Sequence, residues 1–239
     1  MYSFRRDIRH RPWSDGALLA ALFFLGSELV APTDAAGQVR ILTADPATAL
    51  ARLESGEPGQ ISEASVVIKA AFRSNYDRYS AAQRQQLLQG VERIARGEAG
   101  ADDLGITRGV RTAFAILSSI ALDTVSVPED GDIARRMLRI YQQTSRLDSK
   151  ALSVSSLGRI ASRYPAERAE IDSLLFSVAS APFTPDRVHP RTAIDALLSA
   201  GDVGLPVLRR LHEQRAVRDR ATALFLRGIA ERGYRYPVR

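Results

Sequence analysis

Residues 205–211 read Leu205-Pro206-Val207-Leu208-Arg209-Arg210-Leu211, and Val217-Arg218-Asp219-Arg220-Ala221 follows shortly after them. With Leu224, Ile229 and Ala230 further on, apolar residues recur at spacings of three and four, which is typical of amphipathic helices. A unit of two such helices cannot bury its apolar face alone, so it needs neighbouring helices stacked against it. The stretch therefore predicts an array of helix pairs.

The same periodicity continues through the chain from about residue 45, with no alternating β-branched run that would indicate a strand. Each of the following sets falls on one helical face: Leu87, Leu88, Val91, Ile94 and Ala95; Val110, Phe114, Leu117 and Ala121; Ile133, Met137, Leu138 and Tyr141; Leu157, Ile160, Ala161 and Tyr164; Ile171, Leu174, Leu175 and Val178; Ala193, Ile194, Leu197 and Leu198. The pattern predicts an all-α fold of about nine or ten helices, arranged as four or five pairs.

Helix boundaries are marked by capping residues. Asp45-Pro46 supplies an N-cap followed by a first-turn proline, and Ser80 with Gln83 forms the pattern of a capping box. A glycine follows a periodic stretch wherever a left-handed C-terminal cap is expected, at Gly56, Gly97, Gly201 and Gly233. The connections between these boundaries are too short to argue for independent domains.

Over residues 191–232 the chain resembles the HEAT-like (armadillo-type) helical repeat proteins. In that family the first helix of a unit often carries an early proline, and the second opens with a valine and a basic residue; Pro206, Val217 and Arg218 match. The aspartate usual in the turn is absent, and Glu213 is the nearest acid. The resemblance implies an α-solenoid of stacked antiparallel helix pairs, a right-handed HEAT-like superhelix with its binding surface on the inner concave face. Earlier units depart further from the pattern, which leaves a non-repetitive helical bundle and a tetratricopeptide-like array as alternatives.

Internal echoes add support for an array. Ile94-Ala95, Ile160-Ala161 and Ile229-Ala230 recur at spacings of 66 and 69 residues, about twice the period of common helical repeats.

The first 35 residues have the layout of a secretory signal peptide. Arg5, Arg6, Arg9 and Arg11 precede the apolar run 17–25, and Thr33-Asp34-Ala35 offers small residues before a cleavage point. We therefore predict a signal peptide at 1–35, a helical repeat domain at 36–239, and a periplasmic or secreted location. The apolar run is too short for a membrane span, which needs about 20 residues. The alternative is a buried N-terminal helix in a cytoplasmic protein.

Positive charge is concentrated at the C-terminus. Residues 209–239 hold nine arginines against Glu213, Asp219 and Glu231, which accounts for the whole net charge of +6, so the rest of the chain is neutral. We predict partner contacts at Arg209, Arg210, Arg218 and Arg227. Two readings compete with this one: a solvated terminal cap whose arginines pair with the interspersed acids, and a nucleic-acid surface in which Tyr234 and Tyr236 add stacking.

Patterns that support catalysis are missing. The chain has no cysteine, and His10, His189 and His212 lack the spacing of a zinc site. There is no G-x-S-x-G elbow, and the acidic groups Asp102-Asp103 and Glu129-Asp130 with Asp132 precede predicted helices, where carboxylates favour the dipole. We predict no enzymatic activity and no cofactor or metal. The expected function is a non-catalytic protein–protein interaction module or scaffold exported from the cytoplasm, with another protein or an anionic envelope polymer as its partner. The alternative is a cytoplasmic nucleic-acid-binding helical solenoid that uses the arginine-rich C-terminal repeat.

Overall fold

The computed structural model describes residues 44–98, 103–123 and 132–234, with side chains from Arg108 onward in the helix that begins at Asp103. The predicted signal peptide, residues 1–35, lies outside the described residues and stays a prediction.

The described chain is all-α, as the periodicity predicted, and has no strand. Its ten α-helices are α1 (Pro46–Glu54), α2 (Pro58–Ala71), α3 (Ala81–Ala95), α4 (Asp103–Leu122), α5 (Ile133–Gln143), α6 (Leu147–Ile160), α7 (Arg168–Ser180), α8 (Pro190–Ser199), α9 (Leu205–Glu213) and α10 (Arg220–Glu231). Short 3₁₀ turns lie at Tyr76–Arg78, Ala161–Arg163 and Gly201–Val203.

The helices pack in chain order as five pairs, which are α1–α2, α3–α4, α5–α6, α7–α8 and α9–α10. The second helices of successive pairs also contact one another, from α2 through α4, α6 and α8 to α10, and so form a continuous layer. First helices contact along the other layer, where α1 meets α3, α3 meets α5, and α7 meets α9. Each helix therefore packs only against near neighbours in sequence, which is the arrangement of a solenoid-like array.

The predicted N-terminal caps are present. The Asp45 carboxylate accepts a hydrogen bond from the Thr48 backbone N–H at 3.1 Å and starts α1. Ser80 and Gln83 form both hydrogen bonds of the capping box at the start of α3, at 2.9 and 3.2 Å. These bonds satisfy backbone donors that a helix leaves free in its first turn.

The glycines predicted to cap the C-terminal ends of helices are also confirmed. Gly56, Gly97, Gly201 and Gly233 all have positive φ, between 64° and 80°. Only glycine adopts this conformation without a steric cost at Cβ, so these positions read correctly from sequence.

The middle of the array is closely packed at α6 and α8. A Cβ placed on Gly158 would lie 2.3 Å from the backbone oxygen of Ala196. Ser149, Ser153 and Ser156 are buried on the same helix. Gly158 thus lets these two helices approach closely, whereas the three serines lie on the opposite face of α6.

Ion pairs join helices that are distant in sequence. Glu92 of α3 accepts hydrogen bonds from Arg136 at 2.9 Å and from Arg139 at 3.3 Å, both on α5. Arg136 is only 4% exposed, and a second carboxylate, Asp132, lies 2.9 Å from it. Further pairs connect Arg93 with Glu54, Arg73 with Asp123, and Arg135 with Glu167.

The internal echoes do not mark equivalent positions. Ile160 and Ile229 lie at the ends of second helices, α6 and α10, whereas Ile94 lies near the end of a first helix, α3. The evidence for the array is therefore the packing of the helix pairs. The match at Ile94 does not mark an equivalent position in a repeat.

Candidate binding surface on the C-terminal helix pair

The first helix of the last pair, α9, buries Val207, Leu208 and Leu211. After it, Arg215 adopts a left-handed conformation with φ of 49°. The Arg215 N–H donates to the His212 carbonyl at 3.1 Å, and the Ala216 N–H donates to the Leu211 carbonyl at 3.0 Å. This is a Schellman cap with arginine where glycine is usual, so the backbone holds Arg215 at a fixed place at the helix end.

The second helix begins later than the resemblance indicated. Val217 and Arg218 were expected to open it, but α10 begins at Arg220. The reason is a side-chain cap, since the Asp219 carboxylate accepts a hydrogen bond from the Thr222 backbone N–H at 2.8 Å. Val217 instead lies buried in the connection between the two helices.

A cleft of about 430 Å³ opens between α9, α10 and their connection. Leu211, Val217 and Leu226 form its buried floor, and Ala223 is partly buried beside them. The remaining lining residues are His212, Arg215 and Arg227. No carboxylate lines this cleft among the described residues, so its walls are polar and basic and its floor is apolar.

The arginines of this pair form no ion pairs with acids of the described chain. Among the described residues, no carboxylate lies within ion-pair distance of any of the following side chains: Arg209, Arg210, Arg215, Arg218, Arg220, Arg227 and Arg232. Glu213 and Glu231 likewise form no ion pair within the described chain, and the Asp219 carboxylate is occupied by the helix cap. Within the described residues, the ion pairs expected for a solvated cap are therefore not formed.

The four predicted contact residues are all exposed but do not share one location. Arg227 lines the cleft. The Arg210 guanidinium lies 4.1 Å from the ring centre of Phe176 on α7, so it is directed toward the preceding pair. The charge of Arg209 acts on Tyr234, where it opposes the rise in the pKa of the hydroxyl. Arg218 lies in the connection before α10. The structure thus brings only Arg227 to the cleft.

Tyr234 is held against the helix pair. Its hydroxyl lies 3.5 Å from Nδ1 of His212, and its ring packs against the core. Burial raises the pKa of the Tyr234 hydroxyl, the Glu213 carboxylate raises it further, and the Arg209 charge opposes both. A ring held in this way is a poor platform for stacking bases. Tyr236 lies outside the described residues.

Arg215 and His212 are the site residues that sequence reasoning missed. Leu211 and Val217 were recognised as apolar positions of the unit, but nothing in the sequence placed Arg215 on the same side as Arg227. The sequence did not indicate the left-handed backbone conformation at residue 215, because arginine, unlike glycine, does not predict positive φ.

Other features of the described chain offer no stronger site. No group of three or more His, Asp or Glu side chains there is positioned to hold a metal ion. Within the same ranges, no helix is both long enough and apolar enough to cross a bilayer. A second, smaller cleft of about 270 Å³ is lined by Lys150 and Arg187, but it also contains the Asp186 carboxylate.

Comparisons of this chain with protein-family models, with curated proteins and with solved structures give no match. The case for a function therefore comes from the chain's own residues.

Proposed function

We propose that this protein is a non-catalytic interaction module, exported from the cytoplasm, that binds another protein through its C-terminal helix pair. The observation that carries the proposal is the set of arginines on α9, α10 and their connection without carboxylate partners in the described chain. Unpaired guanidinium groups around an apolar cleft suit a macromolecule that offers both carboxylates and apolar side chains. Membership of the HEAT-like family, and a further surface on the inner concave face, remain predictions.

The nucleic-acid alternative is weaker for two reasons. Phosphate contacts need exposed arginines but gain nothing from an apolar floor, and Tyr234 is held against His212 rather than free to stack. An anionic polymer has the same shortcoming, because it offers charge without apolar groups.

Photo-crosslinking in the producing cells tests the proposal. A photoreactive amino acid replaces Leu224, which is 55% exposed on α10, and a matched control replaces Leu147, which is 38% exposed at the start of α6. We expect protein adducts from position 224 and not from position 147. Adducts with nucleic acid at position 224, or no adduct there, would overturn the proposal.

The export part of the proposal has its own measurement. We expect the intact mass of the full-length product, carrying a C-terminal tag and made in a bacterial host, to lack about 35 N-terminal residues. An uncut, soluble product would refute export and favour the cytoplasmic alternative.

A further inference from the structure

We propose that the cleft between α9 and α10 is the docking site for an acidic amphipathic helix of the partner protein. Apolar side chains of that helix would pack on the partly buried Ala223 and the exposed Leu224, and its carboxylates would bind Arg215 and Arg227. This inference rests on the proposed function and deepens it by naming the chemistry of the partner.

The position of the cleft in the array indicates a helical occupant. An internal second helix such as α6 packs against four others, α4, α5, α7 and α8, whereas the main contacts of α10 with described helices are those with α8 and α9. No described helix occupies the place beside α10 that a next pair would take. A docked helix there repeats the packing that the array uses internally.

The positive charge of the cleft favours an acidic partner helix. The cleft is lined by Arg215, Arg227 and His212 with no carboxylate among the described residues. Arg220 lies one turn before Ala223 and Leu224 on α10 and has no ion pair in the described chain. Carboxylates on a partner would accept charge-assisted hydrogen bonds from these arginines.

One exposed apolar side chain lies next to the cleft-lining residues Ala223 and Arg227 on α10 without lining the cleft itself. Among the large apolar side chains that the structure describes, Leu224 is the most exposed, and it lies three residues before Arg227 on the same helical face. An exposed leucine between two arginines that have no ion pair in the described chain fits the amphipathic face of a helix better than it fits a purely charged ligand.

Charge also argues against occupants from this chain. A second copy would present the same basic surface, and like charges across a two-fold interface repel. Residues 235–239 contain Arg235 and Arg239 and no acid, and residues 1–43 hold five arginines against four acids. Neither segment carries a net negative charge, so neither complements the basic cleft as an acidic helix would.

The experiment is a selection from a displayed library of helical peptides against the full chain. Each peptide has about 16 residues, roughly 24 Å of helix. Leucine or alanine occupies the i, i+3, i+4 and i+7 positions, and the flanking positions vary among Asp, Glu, Gln, Lys and Arg. We expect enrichment of Asp and Glu beside the apolar stripe. Enrichment of neutral or basic peptides, or no enrichment at all, would overturn the inference.

Matched variants then locate the site. Arg215→Asn keeps a residue type that accepts positive φ, and Arg227→Gln changes an exposed side chain, so both are expected to fold. We expect the double variant to lose about tenfold or more in affinity for an enriched peptide. Arg111→Gln, which removes an exposed arginine of α4 that forms no ion pair with the described residues, should leave binding unchanged. Equal binding by the parent chain, the double variant and the Arg111→Gln variant would refute the docking site.

Glu→Gln changes in the enriched peptide should cause a loss comparable to that of the double variant and should weaken the effect of removing Arg215 and Arg227. Protein adducts at position 224 combined with failure of this selection would leave the proposed function standing and refute the acidic helix alone. Absence of adducts would refute the proposed function itself.

Discussion

Arginine has two different roles in the two parts of this molecule. In helices α1 to α8, arginines such as Arg136 and Arg135 pair with carboxylates of other helices or turns and join elements of the array. In the C-terminal pair, arginines such as Arg215 and Arg227 lie at the surface with no acid partner in the described chain. The difference teaches that residue type alone does not distinguish an arginine that stabilises the fold from one that is available to a partner.

The largest effect is expected at the buried ion pair. Glu92→Ala leaves the buried Arg136 with the more exposed Asp132 as its remaining carboxylate, so we expect a loss of about 3 kcal/mol in the free energy of unfolding, the lower end of the range for a broken buried pair. Chemical denaturation measures this loss. The control is the double variant Glu92→Leu with Arg136→Leu, which removes both charges and should recover most of the stability. A loss below about 1 kcal/mol in the single variant would show that this pair does not hold the array.

Two glycine substitutions should have opposite signs. Gly158→Ala forces a Cβ against the Ala196 backbone, so we expect a loss of about 2 kcal/mol in unfolding free energy. Gly228→Ala on α10 meets only the flexible end of Arg232, at 3.6 Å, so it should gain about 0.5–1 kcal/mol from helix propensity. Thermal and denaturant unfolding of both variants provide the measurement. The same sign for both would contradict the contrast between a tight centre and an open end.

Neutralising arginines should separate the two roles directly. Arg135→Gln leaves the buried Glu167 carboxylate without its partner, and we expect it to cost about 1 kcal/mol. Arg227→Gln has no such partner, so its effect should stay within about 0.5 kcal/mol. Denaturant titration compares the two variants. A large loss in Arg227→Gln would show that this residue stabilises the fold rather than waiting for a partner.

The smallest effect concerns pH at the two ends of the described array. Hydrogen bonds from the side chain and backbone of Thr222 hold the pKa of Asp219 below its usual value, and Thr48 does the same for Asp45. A carboxyl whose folded-state pKa is depressed stabilises the fold at neutral pH, and this contribution disappears as pH falls through about 4 and below.

Melting temperature measured from pH 6 to pH 3 tests this point. Asp219→Asn keeps a good N-cap without a titrating carboxyl, so its melting temperature should fall slightly less in acid than that of the parent chain. Asp45→Asn is the matched variant at the other end of the described array. Unchanged acid sensitivity in both would show that neither cap contributes measurably to acid unfolding.

Much of the fold could be predicted because its signals are local. The capping residues Asp45 and Ser80 and the positive-φ glycines Gly97 and Gly201 act within one turn of their own position. Errors arose where a local motif was read without its neighbours. Asp219 shifted the start of α10 beyond Val217, and the match at Ile94 lies on a first helix rather than a second.

The candidate site was predicted only in part. Arg227 was named from sequence and lines the cleft, whereas Arg215 and His212 were not named. Arg210 was named but stacks on Phe176 of α7. Sequence locates positive charge along the chain but does not give the direction of a side chain.

The sequence by itself determined that the described chain is helical, where several of its helices begin and end, and that positive charge collects at the C-terminus, because each depends on periodicity, capping or composition. Only the tertiary structure decided which arginines meet a carboxylate. Glu92 and Arg136 are far apart in the chain, and packing of α3 against α5 brings them together. The same packing leaves the cleft beside Arg215 and Arg227 without an acid, because α10 has no further described helix against it.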